Sequence, residues 1–238
     1  MRRRDILLAS LAAALPGPAG AAPGRRLVVP VAGGPVYGRK HYPASLPLAD
    51  GEVVLTFDDG PAAGTTPRVL SALAAHGAKA TFFLIGRHAA GLPHLAERIA
   101  RDGHSIGNHT FSHPWTIDRL SHERALADID QGAAAIEKAL GGAGRLSPFI
   151  RFPGFVETPA LLADMQRRSL AVFGADLWAS DWNVMAPQAQ LDLVMGRLMR
   201  ARKGIVLFHD TREQTAAMLP AFLAALEAKG FRVVHAVA

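Results

Sequence analysis

From residue 52 onward, apolar and polar positions alternate between two regimes. Short runs are apolar throughout, and longer stretches carry an apolar residue every three or four positions. Runs of the first kind read as strands buried on both faces, and stretches of the second kind as amphipathic helices. The pattern predicts a strand over 52–57 and a helix over 67–76, with Leu70, Leu73 and Ala74 on one face and Gly77 as its stop. A strand over 80–85 and a helix over 94–102 closed by Gly103 come next. A short apolar segment at 105–107 precedes a long helix over 121–140, in which Leu126, Ile129, Ile136 and Leu140 oppose Ser121, Glu123 and Glu137. Strands are expected at 149–152, 171–174 and 205–208, separated by helices over 159–169 and 188–202. A final helix over 214–229 leads into a strand over 232–235. Strands alternating with helices in this way predict an α/β fold, a parallel sheet wrapped by helices. No repeat at a fixed period and no second composition regime interrupts the pattern, so 52–238 reads as one domain.

The N-terminal part follows neither regime. Arg2, Arg3 and Arg4, the apolar run 6–15 and the small residues Ala19-Gly20-Ala21 are the parts of a secretory leader over 1–21. Arg3-Arg4-Asp5-Ile6-Leu7 further resembles a twin-arginine export signal. The apolar run is too short to span a bilayer, and no later stretch approaches about eighteen uninterrupted apolar residues. An exported bacterial protein, periplasmic or secreted and without a membrane span after leader removal, is therefore expected. Residues 22–51 are rich in Pro and Gly with no sustained period, and read as a mobile or surface-hugging lead-in.

Composition narrows the chemistry. With 50% hydrophobic residues in 238 there is a core to bury, and with no Cys there is no disulfide scaffold, thiol nucleophile or cysteine zinc site. The net charge of +6 falls to +4 once the three arginines and one aspartate of 1–21 are removed, and the remaining basic residues are scattered. That distribution argues against a nucleic-acid partner.

The polar residues that interrupt the ends of the apolar strands are the candidates for chemistry, because in a (β/α) barrel the loops leaving the strands' C-terminal ends carry the site. Asp58 and Asp59, in Thr56-Phe57-Asp58-Asp59-Gly60-Pro61, are adjacent carboxylates that repel one another unless a cation or a proton-transfer role accounts for them. The turn at Gly60-Pro61 lets them point differently, so one could bind a metal and the other stand beside a bound water; a plain Asp-Gly turn is the alternative. His109 and His113 stand at i and i+4, which in one helical turn would put both on one face, close enough to share a metal ion with a carboxylate from elsewhere. Arg151, leaving an apolar strand, calls for a carboxylate partner such as Asp58. His209, delivered by the strand over 205–208, stands where a general acid would be wanted, and Asp181 could hold its ring protonated.

Together these segments resemble the NodB-like polysaccharide deacetylases, carbohydrate esterase family 4. The T-F-D-D-G-P, H-x-x-x-H, R-x-P, D-W and L-x-H segments occur in that family's order across 52–238. The resemblance implies a distorted (β/α)7 barrel that removes N-acetyl groups from a glycan containing N-acetylglucosamine. It implies Asp58 as catalytic base, Asp59, His109 and His113 as ligands of one divalent metal, Arg151 as partner of the base, and His209 as general acid tuned by Asp181. Zinc is the usual metal, with cobalt or manganese able to serve. Trp182 and Leu207 match residues lining the acetyl pocket, and the backbone N–H of Gly154 matches an oxyanion donor. One departure stands out: the family's third motif has an aromatic residue and then Gly, whereas here Gly154 comes first and Phe155 second. A backbone donor survives that exchange; the side chain over the sugar does not. His41, His76, His88, His94, His104 and His122 are left as surface or structural residues.

Two other readings carry their own features. Gly103-His104-Ser105-Ile106-Gly107 matches the nucleophile elbow of a serine esterase, and Asp181 or Asp210 followed by His235 would complete the chain order; the elbow, however, needs a strand before the serine and a helix after it. A carbohydrate-binding protein that keeps the fold without turnover is the second.

Overall fold

The computed structural model describes residues 25–142 and 144–238; the leader read over 1–21 lies outside them. Seven consecutive parallel strands make the frame: β3 (Glu52–Asp58), β4 (Thr81–Leu84), β5 (Ser105–Asn108), β6 (Phe149–Ile150), β7 (Ala171–Phe173), β8 (Leu177–Trp178) and β9 (Gly204–His209). Their order in the sheet is β7-β6-β5-β4-β3-β9-β8, so β7 and β8, consecutive in the chain, lie at opposite ends of the path. Residues 174–176 alone join them. That link reaches about 14 Å at full stretch, whereas six inter-strand spacings in a flat sheet come to roughly 29 Å. The sheet must therefore curl until its two ends nearly meet, which is the distorted barrel.

Helices α1 (Thr66–Ala75), α3 (Pro93–Arg101), α4 (His122–Ala139), α5 (Pro159–Arg167), α6 (Pro187–Ala201) and α7 (Glu213–Ala228) cover the outside, each within one or two residues of its expected bounds; α2 (Gly86–Gly91) was not expected. Serine and threonine caps start two of them: Ser121 accepts from the Arg124 N–H at α4, and Thr158 from the Leu161 N–H at α5. Strand periodicity sorts the core. Val53, Leu55 and Phe57 pack outward under the helices with Leu70, Leu73, Phe208 and Phe222. Val54 packs inward with Phe83, Phe149, Phe173 and Ile205. Alternation then fixes where the strand-end residues go: Asp58 shares its face with Val54, Arg151 with Phe149, and His209 with Ile205, all on the inner side.

Within the lead-in read over 22–51, the described residues 25–51 do more than hug the surface. β1 (Arg26–Val28) pairs in parallel with β11 (His235–Val237), and β2 (Val36–Tyr37) adds to β7. The turn after β2 then crosses the seam between β7 and β8: Lys40 N–H donates to the Ala175 carbonyl, and the Arg39 N–H and Ser45 hydroxyl to Asp176. Leu27, Val29, Tyr37, Leu46 and Leu48 join the inner cluster. The strand expected over 232–235 is split between β10 (Arg232–Val233), which pairs with β3, and β11. Among the described residues no helix is long and apolar enough to cross a membrane.

Candidate active site

Parallel register brings the strand-end residues together at one end of the barrel. Asp58 is the direct neighbour of His209 across β3 and β9, and Asn108, just before His109, is the neighbour of Ile150, just before Arg151. Arg151 is 0% exposed and fully engaged: Nη1 donates to Asp58 Oδ1 at 2.7 Å and to Thr56 Oγ1 at 2.9 Å, Nε to the Phe173 carbonyl at 3.0 Å, and Nη2 to the Gly174 carbonyl at 2.7 Å. A buried guanidinium without a carboxylate would be strongly destabilising, so Asp58 Oδ1 is committed to this pair and one oxygen is left for other work. That oxygen, Oδ2, lies 3.8 Å from His109 Nε2.

Asp59, His109 and His113 converge beside it, with one potential ligand atom from each lying within 4.8 Å of the others. Asp59 Oδ1 is 3.5 Å from His109 Nε2 and 3.3 Å from His113 Nε2, and it is buried without a hydrogen-bond partner. His109 Nδ1 stands 2.7 Å from the Arg151 carbonyl. A carbonyl only accepts, so Nδ1 carries a proton, and Nε2, on the side of Asp59, is the atom left to serve as a metal ligand. Burial and the neighbouring His109 pull His113 down to about 4, against the opposing charges of Asp59 and Asp58, which keeps this ring neutral near pH 7. Tetrahedral ligands about 2.0–2.1 Å from an ion stand roughly 3.3 Å apart, so three acceptors at these separations suit a small divalent cation.

The two histidines do not share a helical turn. His109 to His113 form a loop in which Thr110 (φ 64°) and His113 (φ 58°) are left-handed, as is Asp59 (φ 73°). Spacing of four implies one face only if the backbone is helical; here side chains hold the loop instead. Asp128 on α4 accepts from the N–H groups of Phe111 and Ser112, Asn108 Oδ1 from Thr110, and Thr110 Oγ1 from His113. His88, left as structural by the sequence, donates from Nδ1 to the Asp59 carbonyl at 2.7 Å. Gly60 completes the turn, where any Cβ would collide with the Asp210 carboxylate. Asn108, placed as a polar residue at the end of an apolar strand, could have been noticed; Asp128 and His88 carry no such signal.

His209 is equally built in. Its Nδ1 meets Asp181 Oδ1 at 2.7 Å, while its own N–H and the Thr215 hydroxyl both donate to Asp181 Oδ2 at 2.7 Å. Burial alone would lower this imidazole, but the Asp181 hydrogen bond and the charges of Asp181, Asp58 and Asp59 outweigh it and push it up to about 9. The ring of Trp182 stands 6.2 Å from that of His209, and Leu207 is buried one residue pair below it, opposite Thr56 and Trp178. Gly154 sits in the turn Pro153–Phe155 with φ 61°. The adjacent Phe155 stacks on His41, carried by the turn after β2, at 4.3 Å.

Ser105 does meet His235, with Oγ 2.9 Å from Nε2, but at the opposite end of the barrel, where β5 begins. Its hydroxyl donates to the Ala236 carbonyl, and Arg26 and Lys79, not a carboxylate, set the charge around His235. No strand precedes it and no helix follows it, so the elbow is missing.

Known proteins resemble this chain over most of its length. The family model described as polysaccharide deacetylase matches residues 46–169. A peptidoglycan-N-acetylglucosamine deacetylase of Bacillus cereus is 32% identical over 199 residues, 81% of this chain and 70% of that protein. A chitooligosaccharide deacetylase of Azorhizobium caulinodans is 34% identical over 197 residues, 75% of this chain and 90% of that protein. Among solved structures, a Bdellovibrio bacteriovorus peptidoglycan deacetylase superposes with a TM-score of 0.82 at 30% identity, covering 94% of this chain, which spans 62% of that one. The chain belongs to the polysaccharide deacetylase family, the enzymes of carbohydrate esterase family 4.

Proposed function

We propose that the protein hydrolyses the N-acetyl groups of a poly- or oligosaccharide containing N-acetylglucosamine and releases acetate, using one divalent metal ion held by Asp59, His109 and His113. The observation that carries this reading is the orphaned Asp59 Oδ1 between two imidazoles, with Asp58 and His209 on adjacent strands beside it. A bound ion would supply Lewis-acid polarisation of the acetamide carbonyl and acidify a water; zinc suits the His/His/Asp donor set, and cobalt or manganese are the alternatives. Asp58, paired with Arg151, takes the proton of the attacking water. His209, protonated and oriented by Asp181, gives a proton to the departing amine nitrogen. The Gly154 N–H serves the developing oxyanion, and Trp182 and Leu207 wall the acetyl methyl.

The related proteins are named for peptidoglycan and for chitooligosaccharide. The first name specifies N-acetylglucosamine, the unit from which chitooligosaccharides are also built, and it is the unit assigned to this substrate. A leader over 1–21 would deliver the protein outside the cytoplasm.

Acetate release from N-acetylglucosamine oligomers by the chelator-stripped protein, before and after return of zinc, cobalt or manganese, tests the reading. Release should vanish on stripping and return with metal. Asp58→Asn should lower kcat by about 10²-fold or more, the scale of a lost general base. Full activity in that variant would overturn the base assignment, and release indifferent to metal would overturn the role of the cluster.

A further inference from the structure

Two exposed indoles flank the catalytic cluster: Trp182, 41% exposed, on the His209 side, and Trp115, 67% exposed, on the other. The assigned chemistry uses only the first. Trp115 follows the ligand His113 by two residues, and the two rings meet edge to face at 4.7 Å. An isolated exposed aromatic means little, since apolar atoms make up much of any protein surface. The neighbour of this one is what gives it meaning.

Gly154, the candidate oxyanion donor, lies directly against the indole. A Cβ built there would stand 3.2 Å from Trp115 Cε3 and 3.6 Å from Cζ3, on a backbone whose φ of 61° already disfavours a side chain. The absence of a side chain at 154 therefore leaves room for the indole. Trp115 thus touches both the candidate ligand His113 and the candidate oxyanion donor Gly154, and keeps most of its surface free at the edge of the site.

We infer that Trp115 is a sugar-stacking residue that holds the unit next to the one being deacetylated. The inference rests on the deacetylase reading above. Aromatic rings suit this task because the C–H faces of a pyranose are apolar, and a rigid exposed indole loses little conformational freedom on binding. Removing the indole should therefore weaken binding of long substrates and leave the bond-breaking groups in place.

The test compares Trp115→Ala and Trp115→Phe with the unaltered protein on N-acetylglucosamine monomer, dimer and pentamer, in the metal-loaded form. Trp115→Ala should raise KM for the pentamer about 10-fold, with kcat falling less than two-fold, and the loss should shrink as the substrate shortens. Trp115→Phe should recover most of it. An exposed side chain leaves no cavity, and zinc stoichiometry measured by competition titration checks that the adjacent ligands are intact. Equal losses on all lengths, or a fall in kcat alone, would overturn the inference, as would an unaffected pentamer KM. If the unaltered protein releases no acetate under any metal, it is the deacetylase reading that fails. Pentamer binding measured by calorimetry then decides: unchanged affinity in Trp115→Ala overturns the stacking role, and a loss of about 10-fold supports it.

Discussion

The candidate base and the candidate acid are each held by a partner of opposite charge type. Arg151 is the partner of Asp58, and Asp181 that of His209. The second pair makes a pH prediction with a definite sign. A general acid must be protonated to serve, so activity on the alkaline side falls as His209 loses its proton. Carboxylates push His209 up to about 9, while the positive charge of a bound metal acts in the other direction. The alkaline limb of kcat/KM is therefore expected between the ordinary imidazole value, near 6.5, and about 9. Asp181→Asn keeps an acceptor for the ring but removes the charge, so its limb should drop to the ordinary value or below. A pH–rate profile in which the limb stays in place would assign it to another group. At this scale the sequence was readable: Asp58, Arg151 and His209 announce themselves as polar residues ending apolar strands, and alternation places them inward.

Elements were legible in proportion to their length. Helices of nine or more residues and the longer strands carry a period, and the structure places them within a few residues of the expected bounds. β2 and β8 have two residues each, too few to carry one. β1 and β2 form because partners lie across the fold, at β11 and β7, which no local pattern reveals. The H-x-x-x-H loop failed in the opposite way: its spacing was read as a helical turn, whereas its geometry comes from Asp128, a helix residue sixteen positions from Ser112. Asp128→Ala frees the N–H of Ser112, leaves that of Phe111 only the main-chain carbonyl of residue 128, and loosens the segment between the two histidines. Outer-shell supports of this kind typically account for 10–100-fold in metal affinity. Zinc affinity measured by competition titration should fall by about that much, with Asp128→Asn losing less because one acceptor oxygen remains. Unchanged affinity would show that the loop is set by its own left-handed residues.

For the whole molecule, the unresolved matter is where the folding unit begins. The polar and apolar pattern starts at 52 and the family match at 46, yet the inner wall of the barrel draws on residues before both. Leu27, Val29 and Tyr37 in that wall, and Tyr42 in the cluster beneath α4 and α5, are each at most 9% exposed, and burying a large apolar side chain contributes about 1.5–3 kcal/mol. Four of them sum to roughly 6 kcal/mol or more, comparable with the about 5–15 kcal/mol that separates folded from unfolded states in ordinary domains. The turn after β2 also spans the seam that strand pairing leaves open between β7 and β8, through its bonds to Ala175 and Asp176. A chain starting at residue 25 should therefore unfold cooperatively with a midpoint close to that of the full chain. One starting at 46 should lose the cooperative transition and bind a hydrophobic dye, because the inner cluster is open on one side. Calorimetric scans of the two chains decide the point. An unshifted midpoint in the shorter one would mean that the barrel from 46 onward closes without help, and that the first strands are an ornament on a complete fold.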